Sequence, residues 1–318
     1  MPRPSVAGRL AARAGYAGVQ GGLAMTKEPR ERRNTVRGIE MASFEWGPPE
    51  GATVVLTHAT GFHARCWDAT VAALGEGFRV IAVDQRGHGR SGKTGPFHWR
   101  QFGADMVELL DQLDVRDAVG VGHSMGGHTM VQAAARLPER LARLVLVDPV
   151  IMEPGAYEGW AEDRPFQSPE EHPVARRRAD FESWEDMFER FRNRLPFRLW
   201  REDVLRDYCR HGVLARPNGD GYTLACPPIV ESSVYMGSGG TDIYDTIRAL
   251  PQSVLVLRAK RREIRQGEMD FSQSPTWEGL ADAFPRGRDV YRPELTHFIP
   301  MQHPELVAAA IVSPESVR

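Results

Sequence analysis

The stretch Gly122-His123-Ser124-Met125-Gly126-Gly127 constrains this chain more than any other. It follows the apolar run Ala118 to Val121 and precedes a helix-like segment from His128 to Leu137, so a strand must turn into a helix within a few residues. Glycines two residues before and two after Ser124 suit such a turn, because a Cβ at either position would collide with the adjoining strand or helix. The turn strains the serine backbone and leaves its hydroxyl projecting. It also aims the Met125 N–H, at the helix start, at the place where negative charge on a bound molecule would gather.

The rest of the chain is patterned around that turn. Thr53 to Thr57, Arg79 to Val83, Ala118 to Val121 and Leu141 to Val147 are short apolar runs of the kind found in strands buried on both faces of a parallel sheet. Helix-like segments over Cys66 to Leu74, Trp99 to Leu113 and His128 to Leu137 separate them, and Thr35 to Trp46 reads as one or two edge strands. Such alternation predicts an α/β fold with a doubly wound, mostly parallel sheet. It stops after Pro149 and resumes at Ser253 to Leu257. A helix over Thr276 to Phe284, a strand near Asp289 to Arg292 and a last helix from His303 to Val312 then follow. Residues 34–149 and 246–318 are thus predicted to form one core. Residues 150–245, rich in aromatic and Arg side chains, form a helical cap inserted over the strand ends. Within that block Arg176-Arg177-Arg178 reads as a solvated helix face. Residues 1–33, rich in Arg, Gly and Ala, read as a flexible or disordered extension, with Met25 a second plausible start.

Charge balance narrows the function classes. Against 42 acidic residues stand 40 basic ones, so the basic excess of a nucleic-acid or membrane-surface binder is missing. No run approaches the roughly 20 apolar residues of a membrane span. Cys66, Cys209 and Cys226 are widely spaced and form no C-x-x-C pair, and the ten histidines show no tight ligand spacing, so neither disulfides nor a metal are expected. A reducing, cytoplasmic setting follows, with a small molecule as partner; a homodimer is compatible with it.

A serine hydroxyl is a poor nucleophile at neutral pH and needs a base, itself held in the right tautomer by an acid. His297, in a loop after the last predicted strand, lies at the same sheet edge as Ser124 and is the candidate base. Three carboxylates compete for the acid: Asp270 first, in the loop after the penultimate strand, then Glu263, nearer that strand's end, then Asp148, at the end of the preceding strand. The loop His58-Ala59-Thr60-Gly61-Phe62 follows a buried strand, and the N–H of Thr60 is the candidate second donor to an oxyanion beside Met125. His58, Phe62, His123, Trp184 and Phe298, next to these residues or on the aromatic insertion, are the candidate substrate-lining side chains.

With Gly122-His123-Ser124-Met125-Gly126-Gly127, Asp84-Gln85-Arg86-Gly87-His88-Gly89-Arg90-Ser91 and His297-Phe298-Ile299-Pro300-Met301 in that order, the chain resembles the α/β-hydrolase family from about Thr35 to Val312. The resemblance implies Ser124 as nucleophile, His297 as base, Asp270 or Glu263 as acid, Met125 and Thr60 as oxyanion donors, and a mainly structural Arg86-Gly87-His88-Gly89 loop. It departs from the family pattern at His58-Ala59, where His-Gly is commoner, and after Leu257, where a short Gly-x-x-Asp turn is missing. Family members acting on epoxides or carbon–halogen bonds carry Asp at the elbow, and Ser124 points away from them. The expected activity is hydrolysis of a carboxylic ester of a medium-sized, largely apolar molecule through an acyl-enzyme, with no cofactor. Cleavage of carbon–carbon bonds, cofactor-free haloperoxidase-like chemistry and non-catalytic ligand binding on the same fold are the alternatives.

Overall fold

Strands come first in the chain: β1 (Arg30–Val36), β2 (Ile39–Trp46), β3 (Ala52–Thr57), β4 (Phe78–Val83), β5 (Ala118–His123) and β6 (Leu141–Val147). After them come β7 (Asp180–Phe181), β8 (Val213–Ala215), β9 (Tyr222–Leu224), β10 (Ser253–Ala259) and β11 (Gly287–Arg292). This is a computed structural model, and it describes residues 28–157, 166–238, 241–260 and 272–318. The described residues build an eight-stranded sheet in the order β1-β2-β4-β3-β5-β6-β10-β11. The β1–β2 and β2–β4 pairs are antiparallel and the rest are parallel. The predicted doubly wound sheet is therefore present.

Helices between the strands cover both faces: α1 (Asp68–Leu74), α2 (Trp99–Gln112) and α3 (Met125–Arg136) in the first half of the chain. In the second half are α4 (Trp184–Phe191), α5 (Glu202–His211), α6 (Pro228–Met236), α7 (Tyr244–Ala249), α8 (Leu280–Ala283), α9 (Ile299–Gln302) and α10 (Pro304–Val312). Side chains alternate across each strand. Val54 and Leu56 join Trp67, Val71, Val307 and Ile311 on one face, under α1 and α10. Val55 and Ile81 join Leu109, Leu110, Met130 and Ile247 on the other, under α2, α3 and α7. Each such fully buried aliphatic side chain contributes about 1.5–3 kcal/mol.

Between β6 and β10 lies the insertion, and it differs from an all-helical cap. Besides α4, α5 and α6 it holds a small antiparallel sheet, β7-β9-β8. The β8–β9 hairpin turns at Asn218-Gly219-Asp220-Gly221, where Gly219 and Gly221 take φ of 80° and 75°, values that favour glycine. α7 packs on the main core through Tyr244 and Ile247. Two further expectations change. Arg30 to Arg33 belong to β1, not to an extension, because Arg30 and Arg32 pair with the buried Glu45 across β2; residues 1–27 lie outside the described residues. The helix expected from Thr276 shrinks to α8, because the Thr276 hydroxyl is engaged with the Pro149 carbonyl at 2.7 Å.

The insertion meets the core where α5 crosses α1, and two carboxyls converge there. Burial raises Asp207 to about 7, with the nearby Asp68 adding to the effect, and burial raises Asp68 to about 6 against its two hydrogen bonds from Arg65. Both folded-state pKa values lie above those of the unfolded chain, so the folded protein holds protons that the unfolded one has released. Stability falls as pH rises from about 4 toward about 7. Asp207→Asn is expected to raise Tm by a few degrees at pH 8 and to leave it near the wild-type value at about pH 4, below which the carboxyl is protonated in both states, as read by thermal melts. An equal shift at both pH values would remove the carboxyl from this role.

Candidate active site

Four loops leave the carboxyl ends of neighbouring parallel strands, where open α/β sheets place their sites. Thr57 of β3 pairs with Gly122 of β5, His123 with Val147 of β6, and Val147 with Leu257 of β10. The strand ends are therefore level along one rim. At the centre, Ser124 has φ 58° and ψ −121°, a left-handed conformation that costs a non-glycine residue about 1–3 kcal/mol. Close packing holds it there. A Cβ on Gly122 would come within 2.3 Å of the Gly126 carbonyl oxygen, and one on Gly126 within 2.4 Å of the Thr57 carbonyl oxygen. Both atoms are backbone, so neither can yield cheaply.

Ser124 Oγ lies 3.0 Å from His297 Nε2, and His297 Nδ1 lies 2.6 Å from Asp148 Oδ2. Asp148 is fully buried, whereas Ser124 and His297 are 6% and 9% exposed at the cavity floor. The other Asp148 oxygen, Oδ1, accepts hydrogen bonds from the Ala259 N–H at 2.9 Å and the Ser274 hydroxyl at 2.6 Å. Asp148 itself has φ 43°, which turns its side chain back over the rim toward His297. The carboxylate that meets the imidazole is thus the one ranked third from the sequence. Asp270 and Glu263 lie outside the described residues.

Thr60 and Met125 face each other across the serine. The Thr60 hydroxyl touches the Met125 sulfur at 3.5 Å, and neither backbone N–H donates to an acceptor among the described residues. Thr60 borders the cavity over Ser124.

Of the five candidate lining side chains, Phe62 and Phe298 border the cavity over Ser124. His58, His123 and Trp184 do not. His58 Nε2 accepts from the Gln85 N–H at 3.0 Å, which leaves its Nδ1–H to donate to the Ala59 carbonyl at 2.8 Å. Burial pushes its pKa well down, and it is a neutral tie between two loops. His123 is also buried and, lowered by burial and by the His297 ring, stays neutral; its Nε2–H donates to the His297 carbonyl at 2.8 Å. It holds the His297 loop in place from beneath. Trp184 packs, partly buried, against the cluster that joins the insertion's aromatic side chains to Phe62 and Phe298.

The loop after β4 is built inward. Arg86 grips Asp105 through Nε at 2.7 Å and Nη2 at 2.9 Å, and Asp84 accepts from the Ala64 and Arg90 N–H groups, each at 2.7 Å. Its polar residues are hydrogen-bonded structure, as the resemblance implied.

The cavity has a volume of about 580 Å³. Sequence reasoning missed three features of its wall: Trp200, Tyr208 and the ion pair Arg177–Glu231. Arg177 lies after a short 3-10 turn (Pro173–Arg176), not on a helix, and only Arg176 and Arg178 of the basic run face solvent. Away from this cavity, Asp68, Asp207 and His211 each bring one donor atom within 4.8 Å of the others, a spacing that could hold a cation, although Arg65 already engages Asp68.

The profile of the alpha/beta hydrolase family matches residues 54–310, a span that runs from within β3 to within α10 and takes in Ser124, Asp148 and His297. The chain belongs to the alpha/beta hydrolase family. Among relatives of this hydrolase-family chain, a non-heme chloroperoxidase of Streptomyces lividans is 42% identical over 119 residues, 36% of this chain and 43% of the relative. A bifunctional esterase/perhydrolase of Acinetobacter calcoaceticus is 35% identical over 119 residues, with the same shares. The chain thus spans less than half the length of these curated relatives. Among solved structures, an E-2-(acetamidomethylene)succinate hydrolase superposes with a TM-score of 0.69 at 22% identity, over 89% of this chain and 97% of the other, a likeness of fold. No helix among the described residues is long and apolar enough to cross a membrane.

Proposed function

We propose that this chain is a serine hydrolase that cleaves a carboxylic ester of a medium-sized, largely apolar molecule through an acyl-Ser124 intermediate. The observation that carries the reading is the unbroken hydrogen-bond line from Asp148 through His297 to Ser124. With Nδ1–H donated to Asp148, His297 Nε2 keeps a lone pair aimed at the serine hydroxyl. As Oγ attacks the ester carbonyl, Nε2 takes its proton, and the carbonyl oxygen, now negative, is met by the Met125 and Thr60 N–H groups. One such donor is worth about 3 kcal/mol of barrier. Collapse breaks the acyl–oxygen bond, and His297 returns the proton to the departing alkoxide. Water then repeats the sequence on the acyl-enzyme, with His297 again the base, and releases the acid and free Ser124. No step calls for a cofactor, and the inserted segment, as a cap, supplies the apolar roof.

A second reading rests on the relatives described as a chloroperoxidase and a perhydrolase. If hydrogen peroxide replaces water in the second half-reaction, the acyl group leaves as a peracid, which oxidises halide. Halide-dependent oxidation that needs both peroxide and a carboxylic acid would favour it.

Quenching the protein during turnover of 4-nitrophenyl butyrate and mapping the adduct by mass spectrometry tests the common core of both. A butyryl group is expected on the peptide carrying Ser124. Acylation elsewhere, or none under turnover, would sink the reading.

A further inference from the structure

The cavity wall is apolar over most of its extent, yet it contains one ion pair that the proposed chemistry does not use. Arg177 Nη1 donates to Glu231 Oε2 at 2.7 Å, and Arg177 Nη2 approaches the Tyr208 hydroxyl at 3.4 Å. The two charges are unequally presented. Glu231 is 6% exposed and packed against Gly61, so closely that a Cβ there would fall 2.4 Å from Oε1. The Arg177 side chain is 25% exposed and borders the same cavity as Ser124. Glu231 borders the cavity too, and of the two charges the guanidinium is the more open to a ligand.

Burying an ion pair in an apolar wall adds little stability over a hydrophobic pair of the same size, so stability alone does not account for this one. A guanidinium donor gives an uncharged acceptor a charge-assisted hydrogen bond. A carboxylate would fare worse. The pair is neutral as a unit, so an anion would meet Glu231 as well as Arg177 and bring an uncompensated charge into a poorly solvated space. We propose that Arg177, held in place by Glu231, is a specificity-determining residue that donates to a second, uncharged carbonyl oxygen of the substrate, separate from the one that meets the Thr60 and Met125 N–H groups. The inference rests on the ester-hydrolase reading for the fate of the first carbonyl, and it narrows the substrate to an apolar acyl compound carrying an additional keto, ester or amide oxygen.

Binding can be read without turnover. In the Ser124→Ala protein, quenching of tryptophan fluorescence, with Trp99 and Trp200 at the cavity, reports titrations of terminal diketones from 2,5-hexanedione to 2,9-decanedione. Each is set against the methyl ketone and the oxo-carboxylate of the same length. At least one diketone is expected to bind about tenfold more tightly than its monoketone, the ratio that one hydrogen bond from a charged donor supplies. It is also expected to bind more tightly than its oxo-carboxylate. The neutral double replacement Arg177→Met with Glu231→Gln is expected to bring the diketone ratio to about one. If that protein does not fold, Arg177→Lys, which keeps the charge and loses the fork, is expected to lower the ratio at least about threefold. Equal binding of diketones and monoketones at every length, tighter binding of the oxo-carboxylates, or a ratio unchanged in a folded variant each overturns the proposal. These titrations stand whether or not the wild-type chain cleaves esters, whereas an unacylated Ser124 in the mass-spectrometric experiment removes the hydrolase reading and leaves them untouched.

Discussion

Replacing Ser124 by Ala is expected to lower kcat on 4-nitrophenyl butyrate by about 10⁵-fold or more, with the oxyanion N–H groups and the cavity supplying what little rate remains. The size follows from the mechanism, since without Oγ no acyl-enzyme forms and His297 has no proton to remove. Stability gives an independent check on the same residue. Ser124 sits at φ 58°, and its side chain bonds within the site to His297. Ser124→Gly, free of the Cβ strain, should therefore be as inactive as the alanine variant and at least as stable in a denaturant titration. An alanine variant that retains more than about a hundredth of the wild-type rate would take the serine out of the chemistry.

Asp148→Asn is expected to lower kcat by about 10⁴-fold with KM little changed. The geometry dictates the sign. Asp148 Oδ1 takes hydrogen bonds from the Ala259 N–H and the Ser274 hydroxyl, so an asparagine would turn its carbonyl oxygen to those two donors. Its NH₂ group would then face His297 Nδ1. The imidazole must accept there, which places its proton on Nε2, toward Ser124, where a base needs a lone pair. Asp270→Asn and Glu263→Gln are expected to leave kcat near the wild-type value. A loss with Asp270→Asn that exceeds the loss with Asp148→Asn would return the acid to the loop after β10.

These outcomes bear on why some roles were readable and others were not. The elbow was legible because its constraints are local: Gly122 and Gly126 are required by backbone atoms a few residues away or on the next strand, and that demand appears as a short string. Four strands and the helices between them were legible for the same kind of reason, since burial on both faces leaves continuous apolar runs. The small β7-β9-β8 sheet carried a signal, Asn-Gly followed by Asp-Gly, but its strands are two or three residues long and too short for any period to register. The basic run at Arg176 to Arg178 misled because a run of like charges says nothing of which member turns inward. Arg177 does so because Glu231, more than fifty residues later, is buried beside it.

Sequence by itself determined the fold class, the serine at the strand-to-helix turn and the histidine in a loop at the same sheet edge, because each depends on neighbours close along the chain or on the order of strands. Only the tertiary structure showed that Asp148 reaches His297. Asp148 and the loop after β10 leave the same rim from adjacent strands, and a single left-handed residue at 148 swings its carboxylate toward the imidazole. That contact follows from backbone direction at one residue, which no spacing in a linear string encodes.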